Sequence, residues 1–212
     1  ENINDRYLQV SPGGAYLLYM DDGHFWTVNV ATREITNITG SAPVSFINTQ
    51  SDQTSKVYPD ELQKPPFGVA GWATRDEAVL LYDKYDVWAV ASDGSGAERL
   101  TNGAQEEVRH RIVHPDRESR FFGPSSSGSS SPEDEWVELE EPVFLSLYGE
   151  WTKKSGYGVL DVGRGVDRLV WLDKNVGSLA KAEDADVFGY VVQGYDDSPD
   201  LFVAGPELGN AR

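Results

Sequence analysis

Val10-Ser-Pro-Gly-Gly-Ala-Tyr-Leu-Leu-Tyr19 and Ala73-Thr-Arg-Asp-Glu-Ala-Val-Leu-Leu-Tyr82 read as two copies of one stretch, and their likeness decides the fold. Ala15 matches Ala78, Leu17 matches Leu80, Leu18 matches Leu81, and Tyr19 matches Tyr82. After a short turn, Phe25-Trp-Thr-Val28 matches Val87-Trp-Ala-Val90, and Ile38-Thr39 matches Leu100-Thr101. Trp26 to Ile38 and Trp88 to Leu100 are both twelve residues apart. The offset is 63 before the turn and 62 after it, which reads as a one-residue deletion in the turn.

Each copy reads as strand, turn, strand, turn, strand. Residues 15–19 and 78–82 are short apolar runs of the length of buried strands. Asp21-Asp-Gly23 and Asp83-Lys-Tyr-Asp86 carry turn chemistry, and Asp93-Gly-Ser-Gly96 is a hairpin signal that Ala31-Thr-Arg-Glu34 matches in position. No connection within a copy is long enough for a crossover helix, so the sheets are expected to be antiparallel meanders.

Two weaker units follow. One holds Val143-Phe-Leu-Ser-Leu-Tyr148, Gly156-Tyr-Gly-Val-Leu160 and Arg168-Leu-Val-Trp-Leu172. The other runs from Asp186-Val-Phe-Gly-Tyr-Val-Val-Gln193 through a turn at 196–200 to Leu201-Phe-Val-Ala204. Units at about 6–40, 67–103, 143–176 and 186–212 have the size of propeller blades. The expected fold is therefore all-β, with antiparallel meander blades of a β-propeller, about four of them, as part of a larger ring. A β-sandwich is the rival, but it does not explain the repeated Tyr-turn-Trp-strand-Leu-Thr order. Residues 41–66 and 104–142 read as insertions. The second contains the low-complexity stretch 123–132, read as a flexible loop, and seven acids without a Lys or Arg between Arg120 and Lys153. Residues 178–185 read as one or two helical turns.

Charge narrows the partners. The 212 residues hold 18 Lys+Arg against 35 Asp+Glu, a net charge of −17. That argues against nucleic acid and against an anionic membrane surface, both of which call for clustered positive charge. No apolar run approaches the roughly 20 residues of a membrane-spanning helix. Cysteine is absent, which removes disulfides, thiolate metal sites and a cysteine nucleophile. The polar start, without Met or a signal peptide, and the abrupt end suggest a segment of a longer chain.

No motif for catalysis emerges. There is no Gly-x-Ser-x-Gly elbow, and the serines of 125–131 lack a flanking strand and helix. His24 lies in a tight turn; His110 and His114 lie in the basic stretch Arg109-His-Arg-Ile-Val-His-Pro115 and are too far apart on an extended strand to share a zinc ion. Asp196, Asp197 and Asp200 lack the glycine and closing Glu of a calcium loop and read as a hairpin turn. Gly163-Arg-Gly165 has no third glycine of a dinucleotide fingerprint. Acids are too abundant to single out a glycosidase pair. Asn37-Ile-Thr39 is a glycosylation sequon by chance composition of a strand. Catalytic, cofactor and metal residues are therefore read as none. Of the six tryptophans, Trp26 and Trp88 are repeat equivalents and read as packing between units. Trp72 and Trp136 fall outside that position. Trp151, in the polar Glu150-Trp-Thr-Lys-Lys154, is the candidate contact residue.

Gly68-Val-Ala-Gly-Trp-Ala-Thr74, residues 78–90 and Asp93-Gly-Ser-Gly-Ala-Glu-Arg-Leu-Thr101 resemble the β-propeller of bacterial prolyl oligopeptidase family serine peptidases, of the acylaminoacyl-peptidase and dipeptidyl-peptidase kind. Residues 146–157 and 197–203 are similar to other stretches of that propeller, so the resemblance covers most of 6–103 and 143–212. Its motifs are shared in part with TolB-like and WD-type propellers. The resemblance implies a non-catalytic propeller that gates and selects peptides for an α/β-hydrolase domain outside this chain, in a periplasmic or secreted protein. The implied partners are that hydrolase domain and peptide substrates, and a homodimer through open blade edges is expected. No position here matches the family's Ser, Asp or His. The alternative is a stand-alone TolB-like propeller serving as a protein-binding scaffold, and a small β enzyme such as a glycosidase is the third reading.

Overall fold

The computed structural model describes residues 4–50, 64–116, 136–209 and 211, with side chains from residue 7 onward. The Ser-rich stretch 123–132 lies outside the described residues. The chain is all-β, and its strands form four antiparallel meander sheets of the propeller-blade kind. Sheet 1 contains β1 (Asn4–Val10), β2 (Tyr16–Asp21), β3 (His24–Asn29) and β4 (Ile35–Asn37). Sheet 2 contains β5 (Val69–Trp72), β6 (Ala78–Tyr82), β7 (Val87–Ala91) and β8 (Ala97–Arg99). Sheet 3 contains β9 (Val108–Ile112), β10 (Val143–Gly149), β11 (Ser155–Asp161) and β12 (Gly165–Leu172). Sheet 4 contains β13 (Asn175–Lys181), β14 (Phe188–Gln193) and β15 (Asp200–Ala204). Within each sheet, consecutive strands are hydrogen-bonded neighbours. Contacts divide the chain into two compact units: Glu1–Leu100 with Ser130–Leu139, and Thr101–Ser129 with Glu140–Arg212.

The repeat is real, but its register differs from the sequence match. Tyr19 pairs with Trp26, and Leu81 pairs with Trp88. Met20 pairs with Phe25, and Tyr82 with Val87, so both turns have the same length and no deletion lies between the strands. The offset is 62 throughout: the Asn29–Glu34 and Ala91–Gly96 backbone bonds correspond, as do Ile38–Phe25 and Leu100–Val87. Aligning Leu-Leu-Tyr on Leu-Leu-Tyr maximises identity but slips one residue. A one-residue slip moves every side chain to the other face of a strand. Leu18 therefore corresponds to Leu80, and Tyr19 to Leu81.

Two further elements depart from the sequence reading. β9 lies within 104–142 and opens sheet 3, pairing with β10. Its Val-Arg-His-Arg-Ile alternation buries Val108 and His110 and leaves the arginines on the wetter face. Residues 178–181 are strand, not helix. β13 pairs with β14 across a bulge after Gly177, and Ser178 there takes a φ of 59°. Ladder pairing and burial of Leu179 outweigh the weak helix preference of Leu-Ala-Lys-Ala.

In the first unit, Leu18, Met20 and Phe25 of sheet 1 meet Val79, Leu81, Trp88 and Val90 of sheet 2 in one apolar core. Each such side chain contributes about 1.5–3 kcal/mol by leaving water. The start of the link is anchored: Phe46 and Ile47 enter this core, with Phe46 edge-on to Trp88 at 6.2 Å.

A polar bolt crosses the same two sheets. Asp76 is only 2% exposed and lies in the β5–β6 connection. Its Oδ1 accepts from the Gly13 amide at 3.0 Å and from the Trp136 indole at 2.7 Å. Its Oδ2 accepts from the Ser11 hydroxyl at 2.6 Å and from the Ala15 amide at 3.2 Å. All four lone-pair sites of the carboxylate are thus filled. The Asp76 carbonyl accepts from the Ser92 hydroxyl, and the Ser92 carbonyl from the Thr27 hydroxyl. Reaching this position puts Arg75 and Asp76 at φ of 59° and 61°, a left-handed pair that the hydrogen bonds hold in place. Gly13 is needed for space, since a Cβ there would lie 2.6 Å from the Asp76 carboxylate.

In the second unit, Tyr157 and Val170 of sheet 3 pack on Val176, Leu179, Phe188, Tyr190 and Val192 of sheet 4. The Ser155 hydroxyl donates to the Lys174 carbonyl and accepts from the Val176 amide, and the Tyr157 hydroxyl accepts from the Leu179 amide. Gly156 lets β11 approach β12, because a Cβ there would collide with the Val170 carbonyl.

Burial pushes the Asp76 carboxyl up, but the bonds from Ser11, Trp136, Gly13 and Ala15 outweigh it and hold its pKa below the ordinary 3.8. A carboxylate with a depressed folded pKa contributes stability above the unfolded pKa and loses it as pH falls through the folded value. Asp76→Ala should lower the unfolding free energy by about 3 kcal/mol, read from urea denaturation, because four donors lose their acceptor. The stability gap between the wild type and Asp76→Asn should narrow as pH is lowered from about 5 to about 2. A gap that stays constant or widens on acidification contradicts this account.

Candidate functional site

Three turns meet at one end of the second unit: β10–β11, β12–β13 and β14–β15. Strand alternation in an antiparallel meander brings these connections to the same end. The β10–β11 turn is closed by the Gly149 amide to the Lys154 carbonyl and the Lys153 amide to the Gly149 carbonyl, both at 2.9 Å. Lys153 takes a φ of 58° to close it. This tight turn holds Trp151 out in solvent, 79% exposed. Tyr195, in the β14–β15 turn, is fully exposed.

Lys153, Asp173, Lys174, Asn175, Gln193 and Tyr195 line an open groove of about 410 Å³ between these turns. The Lys174 ammonium lies 3.4 Å from the Asp197 carboxylate, a pair exposed enough to be exchanged for a ligand's charge. The Lys153 ammonium lies 5.8 Å from the centroid of the Tyr148 ring, and the Arg109 guanidinium 5.0 Å from it. Arg109 also pairs with Glu150 at 3.4 Å. The groove is nearly neutral in a strongly acidic chain. It offers two lysines, two amide side chains and the Tyr195 ring. Aromatic rings with small polar donors around them are the chemistry of protein contact surfaces.

The other residues singled out from the sequence have structural places. Trp26 stacks on Tyr19 at 6.4 Å and donates to the Asp21 carbonyl, while Trp88 donates to the Asp83 carboxylate. Trp72 is buried and stacks on Tyr16. Trp136 returns to the first unit and caps Asp76, with the neighbouring Val137 amide bonded to the Trp72 carbonyl. His24 meets the Thr39 hydroxyl at 3.2 Å, and His110 is buried in sheet 3. The Asn37 side chain accepts from the Thr39 amide, so the sequon residues serve a turn. Asp197 pairs with Lys174 while Asp200 begins β15, and among the described residues no group of three His, Cys, Asp or Glu could hold a metal. The serines of 125–131 lie outside the described residues.

Sequence reading placed Trp151 at the surface but missed Tyr195, Lys174 and Gln193. The only signal for them is polar turn composition, which does not say that three turns share one end. The Asp76 bolt was missed because its donors are about 60 residues away in sequence.

No family model matches the chain, and no curated protein matches it. Among solved structures, an oligogalacturonate lyase from Vibrio parahaemolyticus is similar at a TM-score of 0.40 and 11% identity, over 99% of this chain. The chain spans 65% of the lyase's length. A putative TolB from Agrobacterium tumefaciens is similar at a TM-score of 0.30 and 10% identity, over 97% of this chain and 78% of that one. The oligogalacturonate substrate is the lyase's own. The four meander sheets define the class: this is a blade-built, β-propeller-type protein. None of the helices among the described residues is long and apolar enough to cross a membrane.

Trp151 and Tyr195 make no contribution to a core. Trp151→Ala and Tyr195→Ala should each change the unfolding free energy by less than about 0.5 kcal/mol in urea titration. A loss several times larger would place these rings in packing rather than at a contact surface.

Proposed function

We propose that this chain is a non-catalytic propeller segment that works as a protein-binding scaffold, with the turn end of the second unit as its contact surface. The observation that carries this reading is the exposure of two rings on turns of the second unit: Trp151, held 79% exposed by a tight turn, and the fully exposed Tyr195, which lines the polar groove. Two such rings would cost little side-chain entropy when a partner covers them, which is why aromatic residues anchor interfaces. The lysines and amides of the groove would orient a peptide segment by its carboxylates and backbone groups.

The narrower reading, in which the segment gates peptides for an α/β-hydrolase domain, has its support in the resemblance of residues 6–103 and 143–212 alone. A periplasmic or secreted site of action rests on the same resemblance. In either reading the chain contributes surface rather than chemistry.

Selection of a random displayed-peptide library on the immobilised chain tests the scaffold. Peptides with a shared sequence should emerge, and their affinity should fall at least tenfold on Trp151→Ala or Tyr195→Ala. Absence of any shared sequence, or peptides indifferent to both substitutions, would remove the turn end as the contact surface.

A further inference from the structure

The two faces of sheet 1 are used differently. One face carries Leu18, Met20 and Phe25 and is buried against sheet 2. On the other, the ladder aligns Val10, Leu17, Val28 and Ile35 in one row across all four strands. A second row sets Tyr19 beside Trp26. The first row is apolar from edge to edge, while Asn37 closes the second and Asp21 and His24 lie beyond it. Val10 is nevertheless 56% exposed and Ile35 60% exposed. Leu17, Tyr19, Trp26 and Val28 are half-buried only.

Sheet 2 shows what such a face is for. At the offset of 62, the row corresponds to Trp72, Val79, Val90 and Ala97, which the ladder of sheet 2 aligns in the same way. Tyr19 and Trp26 correspond to Leu81 and Trp88. In sheet 2, Trp72, Val79, Leu81, Trp88 and Val90 are at most 5% exposed, packed in one core with Leu18, Met20 and Phe25 of sheet 1. The free face of sheet 1 is therefore the repeat equivalent of a face that an apolar sheet covers. Its occupant should be another antiparallel sheet with uncharged, alternating side chains.

The chain itself carries a sheet of that description. Sheet 4 buries Phe188, Tyr190 and Val192 on its inner face. On its outer face the ladder aligns Gly177, Val191 and Leu201, and then Ala180, Gly189 and Val203. No charge interrupts either row, and Leu201 and Val203 are 64% and 46% exposed. Its glycines and alanine leave room for the rings of Tyr19 and Trp26, large against small.

We propose that the free face of sheet 1 docks the outer face of sheet 4 of a second copy of this chain. With strands about 4.8 Å apart and about 3.4 Å per residue, each face measures roughly 300 Å². One junction then buries roughly 600 Å² over its two faces, the size of a weak, reversible contact. A charge of −17 on each copy opposes the association, so salt strengthens it by screening. This inference is independent of the turn-end surface of the second unit.

Sedimentation velocity of the full chain from about 1 to 100 µM, at 0.05 and 0.5 M NaCl, tests it. The wild type should form a dimer, tighter at high salt. Ile35→Lys and Leu201→Lys, both at exposed positions, should each weaken it at least tenfold. Mixing the two variants should restore part of the dimer, because one junction then has two intact faces. Ile35→Thr and Leu201→Thr, which keep strand preference, replace any lysine variant that circular dichroism shows unfolded. A monomer at 100 µM in 0.5 M NaCl overturns the proposal. So does a dimer insensitive to Leu201, which would mean that two copies of sheet 1 pair with each other, or a dimer insensitive to both sites.

Discussion

A buried carboxylate without a cation is the constraint around which the first unit is arranged. Taking Asp76 out of water costs several kcal/mol unless its charge is answered by hydrogen bonds. Four donors answer it, two of them backbone amides from the first connection of sheet 1 and one an indole from beyond residue 130. The arrangement explains features that look arbitrary along the chain. Gly13 has no side chain because the carboxylate occupies that space. Arg75 and Asp76 accept left-handed backbone because the carboxylate must point back toward sheet 1. Trp136 sits in an acidic, low-apolar region and yet has a fixed partner. The bolt also sets the register between two sheets whose apolar contacts alone would permit sliding.

Around the bolt, the repeat gives each sheet two faces with different duties. Residues equivalent to Leu18 face one neighbour, and residues equivalent to Leu17 face the other. β6 is covered on both faces, and four of its five residues are buried. β2 has nearly the same composition, but only Leu18 and Met20 are buried. Composition therefore cannot say whether a strand is covered once or twice. That difference comes from what packs on each face, and it is why the same sequence pattern produces a core in sheet 2 and a partly open apolar surface in sheet 1.

The division between turns and strands carries over to function. Strand backbones in all four sheets are occupied with ladder bonds, while the turns present polar and aromatic side chains to solvent. The tight β10–β11 turn spends its backbone hydrogen bonds internally and so can hold Trp151 in solvent. A looser connection would let the ring fold back onto the sheet to hide its apolar surface.

Much of the fold was legible in the chain. Alternating apolar runs, Asp-Gly turns and the Trp-to-Leu-Thr spacing determined strands, hairpins and an all-β meander, because each depends on residues only a few positions apart. The packing role of Trp88 was legible for the same reason, whereas its repeat equivalent Trp26 lies half-buried beside Tyr19 on the more exposed face of sheet 1. The helix expected at 178–185 failed because local preference there is weak and a neighbouring strand is available. β9 was hidden by its arginines. The one-residue error in the repeat shows the limit most clearly: identity favours 63, but side chains must face a core, and only pairing across the ladder shows that the offset is 62. The tertiary structure alone decided that Asp76, Ser11 and Trp136 meet, that Lys153, Lys174 and Tyr195 line one groove, and that one face of sheet 1 stays partly exposed. Each of these joins residues tens of positions apart. Such contacts depend on where whole sheets pack, and no local pattern of residues encodes that.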